Sequence, residues 1–373
     1  MGFRIGISGS YGGMNLGDEA ILMAILGELR RTLNPEVVVF SDNSADTEKR
    51  HKVRALSLSE AHKDDVLREL EKLDLFVVGG GGILFDGFAE KVLRDANWAM
   101  ERGVPVMIYA VSAGPLNNPE TRKLVVRTLN SVDIITVRES GAKKLLNDLG
   151  VDRSIEVTAD PAFLLEPSEF TTDMLKGEGV DPERPLIGFS VREPGPAAPE
   201  LDVDHYHAIL ANTADFMIER FGAQILFIPM EFAQNHDPRH SHGVISKMAN
   251  VQRAGVLKGK YDSAQILGLI GHTAFVVGMR LHILIFAAVR HVPFAPLPYA
   301  AKVSGVLADM QLPMPPLSEL NTGKLCAFLD RSWDTRGQIA RKLQKTIPGV
   351  QEKARQTNRI LCDFLSAKDS GRQ

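Results

Sequence analysis

Short apolar runs alternate with longer amphipathic stretches along almost the whole chain, and this alternation constrains the fold more than any single motif. It starts with "RIGIS" and "DEAILMAILGELRRTL" and continues through "VVVFSD", "SEAHKDDVLRELEKL", "LFVVGGGG", "AEKVLRDANWAMERG" and "VPVMIYAVSAG". "NPETRKLVVRTLNSV", "DIITVRES", "GAKKLLNDLGV" and "SIEVTADPA" complete the series. Strand-like runs separated by helical stretches of ~10–15 residues imply βαβ units, and these imply a parallel sheet with helices on both faces.

The alternation lapses between 160 and 185, where "DPAFLLEPSEFTTDMLKGEGVDPERP" mixes prolines, glycines and charges without sustained periodicity. It resumes with "PLIGFSVRE", a helix from about Asp204 to Phe221, "AQILFIPM", "SAQILGLIGH", "AFVVGMRLHILIFAAV" and "VPFAPLPY". A second parallel α/β domain is therefore expected. At 373 residues the chain exceeds the ~250–300 at which single cores stop growing. The expected organisation is an N-terminal domain over 1–165, a linker over 166–185, a C-terminal domain over 186–345, and a terminal helix over 346–373 packing back on the first domain.

A net charge of -3 gives no basic footprint for nucleic acid. Cys326 and Cys362 form no CxxC pair, so neither a disulfide framework nor a zinc site is expected, and a reducing cytoplasm fits. "MGFRIGISGS" runs straight into a strand without a leader-like apolar region, and no stretch reaches ~18 uninterrupted apolar residues. The expectation is a cytoplasmic protein, neither secreted by that route nor membrane-spanning.

In an open parallel sheet, ligands bind beyond the carboxyl ends of the strands, so the loops after apolar runs are where chemistry is sought. After the first strand, "GSYGGMNLGDEAIL" offers Gly12, Gly13, Asn15 and Asp18 at a helix start, where glycines allow close backbone approach and free N–H groups attract an anion. The alternative there is a tight turn with Asp18 as a helix cap. "FVVGGGGILFD" carries Gly79, Gly80, Gly81 and Gly82, which read either as a backbone-lined ligand surface or as a close helix–strand contact. Arg138 in "DIITVRES" and Arg192 in "IGFSVRE" occupy equivalent strand ends, one per domain, as paired residues or as bidentate donors to an anionic substrate facing each other across a cleft.

"GMRLHILIFAA" places Arg280 and His282 in the first turn of a helix after a glycine turn, where the positive dipole end favours a bound anion. A capping arginine and a satisfied histidine are the alternative. "HDPRHSH" offers His236, Asp237, His240 and His242 at spacings compatible with a metal, but surface histidines are commoner than ligands and no metal is expected. The chain has no GxGxxG, although Asp42 ends the second strand where a ribose-binding carboxylate would sit. It also lacks a P-loop lysine, a GxSxG elbow and an HExxH. Nicotinamide enzymes, NTPases, hydrolases of that type and zincins are disfavoured.

Together "GGMNLGDEAIL", "VVGGGGILFD", "VSAGP", "TVRES", "VTADPAFLL", "FSVRE" and "GMRLHILIFAA" resemble the polysaccharide pyruvyl transferase family. The resemblance implies two Rossmann-like domains in a GT-B-like arrangement with a cleft between them. It further implies transfer of a pyruvyl group from phosphoenolpyruvate onto two hydroxyls of a sugar, as a ketal, in cell-surface polysaccharide or cell-wall biosynthesis. The acceptor would be a polymer sugar or a lipid-linked precursor, bringing the enzyme to the inner face of the membrane. No cofactor is implied beyond phosphoenolpyruvate as donor substrate. Arg138, Arg280 and His282 map onto the family's arginine of "TVRES" and its "RLH", Lys302 onto the lysine after its tyrosine-containing loop, and Asp237 onto the acidic residue after the "IPM" strand. The position before Lys302 is Ala301, where the family carries an acidic or polar residue. A glycosyltransferase using a nucleotide sugar and a non-catalytic carbohydrate-binding protein are the competing readings.

Overall fold

The computed structural model describes residues 2–57, 60–193, 202–233, 236–297, 305–307 and 321–370. These form two compact units, the first of residues 1–14, 18–165 and 349–373, the second of residues 15–17 and 166–348.

In the first unit the strands are β1 (Arg4–Ser8), β2 (Glu36–Ser41), β3 (Arg54–Ser57), β4 (Leu75–Leu84), β5 (Val106–Ala113), β6 (Ile134–Val137) and β7 (Ile155–Val157). Between them run α1 (Leu16–Thr32), α2 (Ser44–His51), α3 (Lys63–Leu70), α4 (Ala89–Glu101), α5 (Pro119–Leu129) and α6 (Ser140–Leu149). All strand pairs are parallel, in the order β3-β2-β1-β4-β5-β6-β7. The order reverses direction between β1 and β4, the switch point at which such sheets open a crevice. β1, β4 and β5 read as continuous apolar runs because both faces are covered: Val77, Val78, Ile108 and Val111 are fully buried.

The second unit contains α7 (Thr172–Gly177), β8 (Leu186–Ser190), α8 (Val203–Phe221), β9 (Gln224–Phe227), α9 (His236–Ile245), β10 (Ala254–Val256), α10 (Ser263–Ile270), β11 (Phe275–Gly278), α11 (Leu281–Val289) and β12 (Phe294–Pro296), followed by α12 (Thr322–Asp334). Its sheet is parallel throughout in the order β10-β9-β8-β11-β12, with the switch point between β8 and β11. The chain is thus an α/β protein of two Rossmann-like domains. The final helix α13 (Arg336–Ser370) contains Pro348, and its later residues pack in the first unit. There Gln351 Nε2 donates to the Phe163 carbonyl at 3.0 Å and Thr357 bonds Thr158 at 2.8 Å.

Residues 166–185, which lack periodicity, are not a bare connection. They carry α7, Ser168 N bonds the Ala264 carbonyl, and the Phe170 ring lies 4.9 Å from that of Tyr261. The Glu178 carboxylate gathers the amides of Lys258 and Gly259 and the Tyr261 hydroxyl. These polar contacts are distant in sequence, so no local pattern announces them.

The four glycines at 79–82 differ from the loop suggested by their composition: they lie inside β4. Gly80 and Gly81 have φ of 47° and 85°, and pairing with β5 persists from Gly79 opposite Tyr109 to Gly82 opposite Ser112. A Cβ on Gly80 would come within 2.1 Å of Ile21 Cγ2, and one on Gly79 within 2.8 Å of the Tyr11 hydroxyl. Gly79 and Gly80 let α1 and the loop after β1 lie against the sheet, which is the close packing contact. Gly80→Val adds a strained left-handed backbone, ~1–2 kcal/mol, to overpacking of ~1–3 kcal/mol. It is expected to lower the thermal midpoint by many degrees, whereas Gly13→Ala, with open space around the added Cβ, should leave it within about a degree or two.

Candidate active site

The loop after β1 looks from its sequence like a cradle for an anion, and one of its amides is taken by a side chain of the protein itself. The Gly12 amide donates to Glu19 Oε1 at 2.8 Å, and Glu19 Oε2 lies 2.6 Å from His51 Nε2, both side chains being buried. Gly12 sits at φ 78° with Ser41 and Asn43 against the place a Cβ would occupy. α1 begins at Leu16, two residues before the acidic pair, so Asp18 is in its first turn and not its cap. Asn15 takes the capping position, its Oδ1 accepting from Gly17 N at 2.9 Å. Asp18 instead lies by the glycines of β4, 3.4 Å from where a Gly81 Cβ would be. Asp42 forms an ion pair with Lys91.

Arg138 follows β6 as expected, but it is internal. Only 2% of it is exposed, Nη1 donates to Asp160 at 2.6 Å and Nε to Glu139 at 3.1 Å. Burial holds the Glu139 carboxyl above its ordinary value, opposed by the Arg138 charge and by the Ser112 hydroxyl. The guanidinium that the family resemblance makes a donor clamp is here held by two carboxylates. Removing it would strand two buried anions, at ~3–5 kcal/mol. Arg138→Met should therefore lower the denaturation free energy by about that much near neutral pH, with a smaller loss in acid, where the carboxyls take up protons; urea titrations at the two pH values measure both.

The second unit assembles a denser polar cluster at the carboxyl ends of β8, β9 and β11. Arg280 is the N-cap residue of α11 with extended backbone, one position earlier than a first-turn placement, and His282 is the second residue of the helix. α11 is apolar on nearly every face because it is interior: Leu281 and Ile283 through Ala288 are all buried, and His282 alone of its first turns is polar and only half-buried. The imidazole is fitted against backbone, since a Cβ on Gly17 would fall 1.9 Å from His282 Nδ1. Gly17 is thus a residue of this site that glycine counting did not distinguish from its neighbours.

Arg280 meets Asp237 edge-on, with Nε 3.0 Å from Oδ2 and Nη2 2.5 Å from Oδ1. Asp237, on α9, is fully buried, and its Oδ2 also accepts the amides of Met230 and Glu231, each at 3.0 Å. The acidic residue that the family resemblance makes a substrate contact thus fixes the guanidinium and the loop after β9.

Glu231, in that loop, was not singled out by the sequence, although a carboxylate directly after the apolar "LFIPM" is a signal that could have found it. Its Oε2 accepts from Asn15 Nδ2 at 2.7 Å, and Arg280 Nη1 stands 4.0 Å away. Burial holds the carboxyl above its ordinary value; the Arg280 charge opposes this and that of Asp237 adds to it. Residues 15–17 complete the cluster: Leu16 N bonds the Met230 carbonyl at 2.8 Å, and Ser263 Oγ donates to the Leu16 carbonyl at 2.7 Å.

Arg192 follows β8, half-buried and ion-paired with Glu193. Lys302 lies outside the described residues. His240 Nδ1 is 2.9 Å from His207 Nε2 rather than grouped with His236 and His242. Among the described residues no three His, Cys, Asp or Glu side chains converge to hold a metal, and no helix is long and apolar enough to cross a membrane.

The chain shares its fold with UDP-N-acetylglucosamine 2-epimerases and a glycosyltransferase. A candidate UDP-N-acetylglucosamine 2-epimerase from Listeria monocytogenes superposes with a TM-score of 0.68 at 14% identity, over 99% of this chain and 98% of that one. The epimerase from Neisseria meningitidis bound to UDP-GlcNAc gives 0.64 at 12% identity, over 96% and 99%, and a glycosyltransferase from Rickettsia africae gives 0.64 at 10% over 98% of both. Identities this low speak for the fold alone. No curated protein sequence matches closely enough to add to this. The polysaccharide pyruvyl transferase family profile matches residues 15–300, most of the chain, and the protein belongs to that family.

Proposed function

We propose that this protein is a pyruvyltransferase that uses phosphoenolpyruvate to form a pyruvate ketal on a sugar of a cell-surface polysaccharide or its lipid-linked precursor. The observation that carries this is the pairing of an N-cap arginine with a half-buried histidine at the start of α11, beside the switch point of the second sheet, in a member of this family. A helix N-terminus with an adjacent guanidinium suits a small anion bearing both phosphate and carboxylate.

The chemistry is compact. Protonation of donor C3 makes C2 electrophilic, a sugar hydroxyl attacks C2, the C2–O bond to phosphate breaks with its electron pair on phosphate, and a second hydroxyl closes the ketal. His282 is the general acid/base, Arg280 the group that steadies the donor, and Arg192 and Lys302 further donors to its charge. Arg138, which the family resemblance makes a further donor contact, lies among the internal ion pairs of the first unit. A lipid-linked acceptor would bring the reaction to the cytoplasmic face of the membrane.

Phosphate release from phosphoenolpyruvate, measured across a panel of sugar acceptors, tests this. Acceptor-dependent release is expected, falling by about 100-fold or more in His282→Ala. Consumption of nucleotide sugars with no use of phosphoenolpyruvate would move the assignment to glycosyl transfer. Gly17→Ala should mimic His282→Ala in turnover, because the new methyl group displaces the imidazole, while the thermal midpoint changes far less than in Gly80→Val.

A further inference from the structure

Ketal formation removes two hydroxyl protons from the acceptor, delivers one proton to donor C3 and sends one out on phosphate. These transfers occur at different atoms, and one imidazole is poorly placed to serve them all. Glu231 is a second titratable side chain of this cluster, linked to His282 through residues 15–17. Its carboxylate is anchored by Asn15 at 2.7 Å, and Gly17, two residues on, abuts the imidazole. Its backbone is pinned by Asp237, whose Oδ2 accepts its amide and whose own amide donates to its carbonyl at 3.3 Å. Among the described residues the charged groups facing it are Arg280 of the α11 cap and Asp237 of α9, and Arg280 is held edge-on by Asp237.

That arrangement sets its protonation. With Asp237 matching the Arg280 charge, an ionised Glu231 would set an unmatched negative charge beside the helix start where a polyanionic donor must bind. Burial already favours the neutral acid, and a bound phosphate and carboxylate act in the same direction.

Resting on the pyruvyl-transfer reading, we propose that Glu231 is the second proton carrier of this site, the acid that protonates donor C3, while His282 is the base that accepts the first hydroxyl proton. The C3–H bond forms from the enol electrons as the Glu231 O–H bond breaks. The first hydroxyl oxygen bonds C2 and gives its proton to His282, which passes it to the departing phosphate. The second hydroxyl bonds C2 as the ketal closes and returns its proton to the Glu231 carboxylate. Both residues end as they began, and the two hydroxyl protons account for the new C–H bond and the protonated phosphate.

Glu231→Gln tests this, since the amide still accepts from Asn15 but carries no transferable proton. Turnover should fall by about 100-fold or more, with the KM for phosphoenolpyruvate little changed. In the parent enzyme kcat should be lost as pH rises through the Glu231 titration, because the acid is the working form; that basic limb should vanish in Glu231→Gln and persist, at reduced kcat, in Glu231→Asp. Parental kcat and pH profile in Glu231→Gln would overturn the assignment. A parent enzyme that releases no phosphate with any acceptor would instead overturn the pyruvyl-transfer reading itself, so the two failures are separable.

Discussion

The contact on which the second unit depends is the buried pair of Asp237 and Arg280. Both oxygens of a fully buried carboxylate are committed, to the guanidinium on one side and to two backbone amides on the other. An ion pair taken out of water repays its desolvation only when geometry and hydrogen bonding are nearly complete, and here they are. In return one aspartate fixes three things at once: the start of α9, the loop after β9, and the cap of α11. The cap that precedes His282 and the setting of Glu231 both follow from that cross-link.

Much of the architecture was legible because it obeys periodicity. Continuous apolar runs of strand length between amphipathic helices leave little choice but two covered parallel sheets, and "VVVF", "FVVG" and "ILFI" became strands as read. Strand order was not legible, since nothing local in β4 says that it returns beside β1. The glycines of β4 were ambiguous for a physical reason: left-handed backbone and absent side chains serve a ligand and a close-packed helix equally well, and the position of Ile21 shows the packing role at Gly80.

The site divided in a similar way. Arg280 and His282 stood out because a polar pair heading an apolar helix is conspicuous. Arg138 stood out too, but its partner Asp160 is 22 residues away and Glu139 adjoins it, so sequence alone could not separate an internal ion pair from a clamp. Asp237 came with the family resemblance, and its full burial against Arg280 is not written in the local pattern. Glu231 escaped notice because its importance lies in burial and in Asn15, 216 residues distant. What periodicity reports is which face is buried; what it omits is which buried polar group answers which.

The tripeptide Asn15–Gly17 carries a consequence for how this chain can be divided. It lies in the sequence of the first domain, yet it completes the second unit, supplying partners to Met230, Glu231 and Ser263 and the flat backbone on which the His282 ring rests. A fragment cut at the apparent boundary near residue 166 would keep every strand of its sheet and still lack one wall of its polar cluster. The modularity seen in the sheets stops short of the chemistry, and exchange of whole domains between related chains would have to carry this distant three-residue graft along with it.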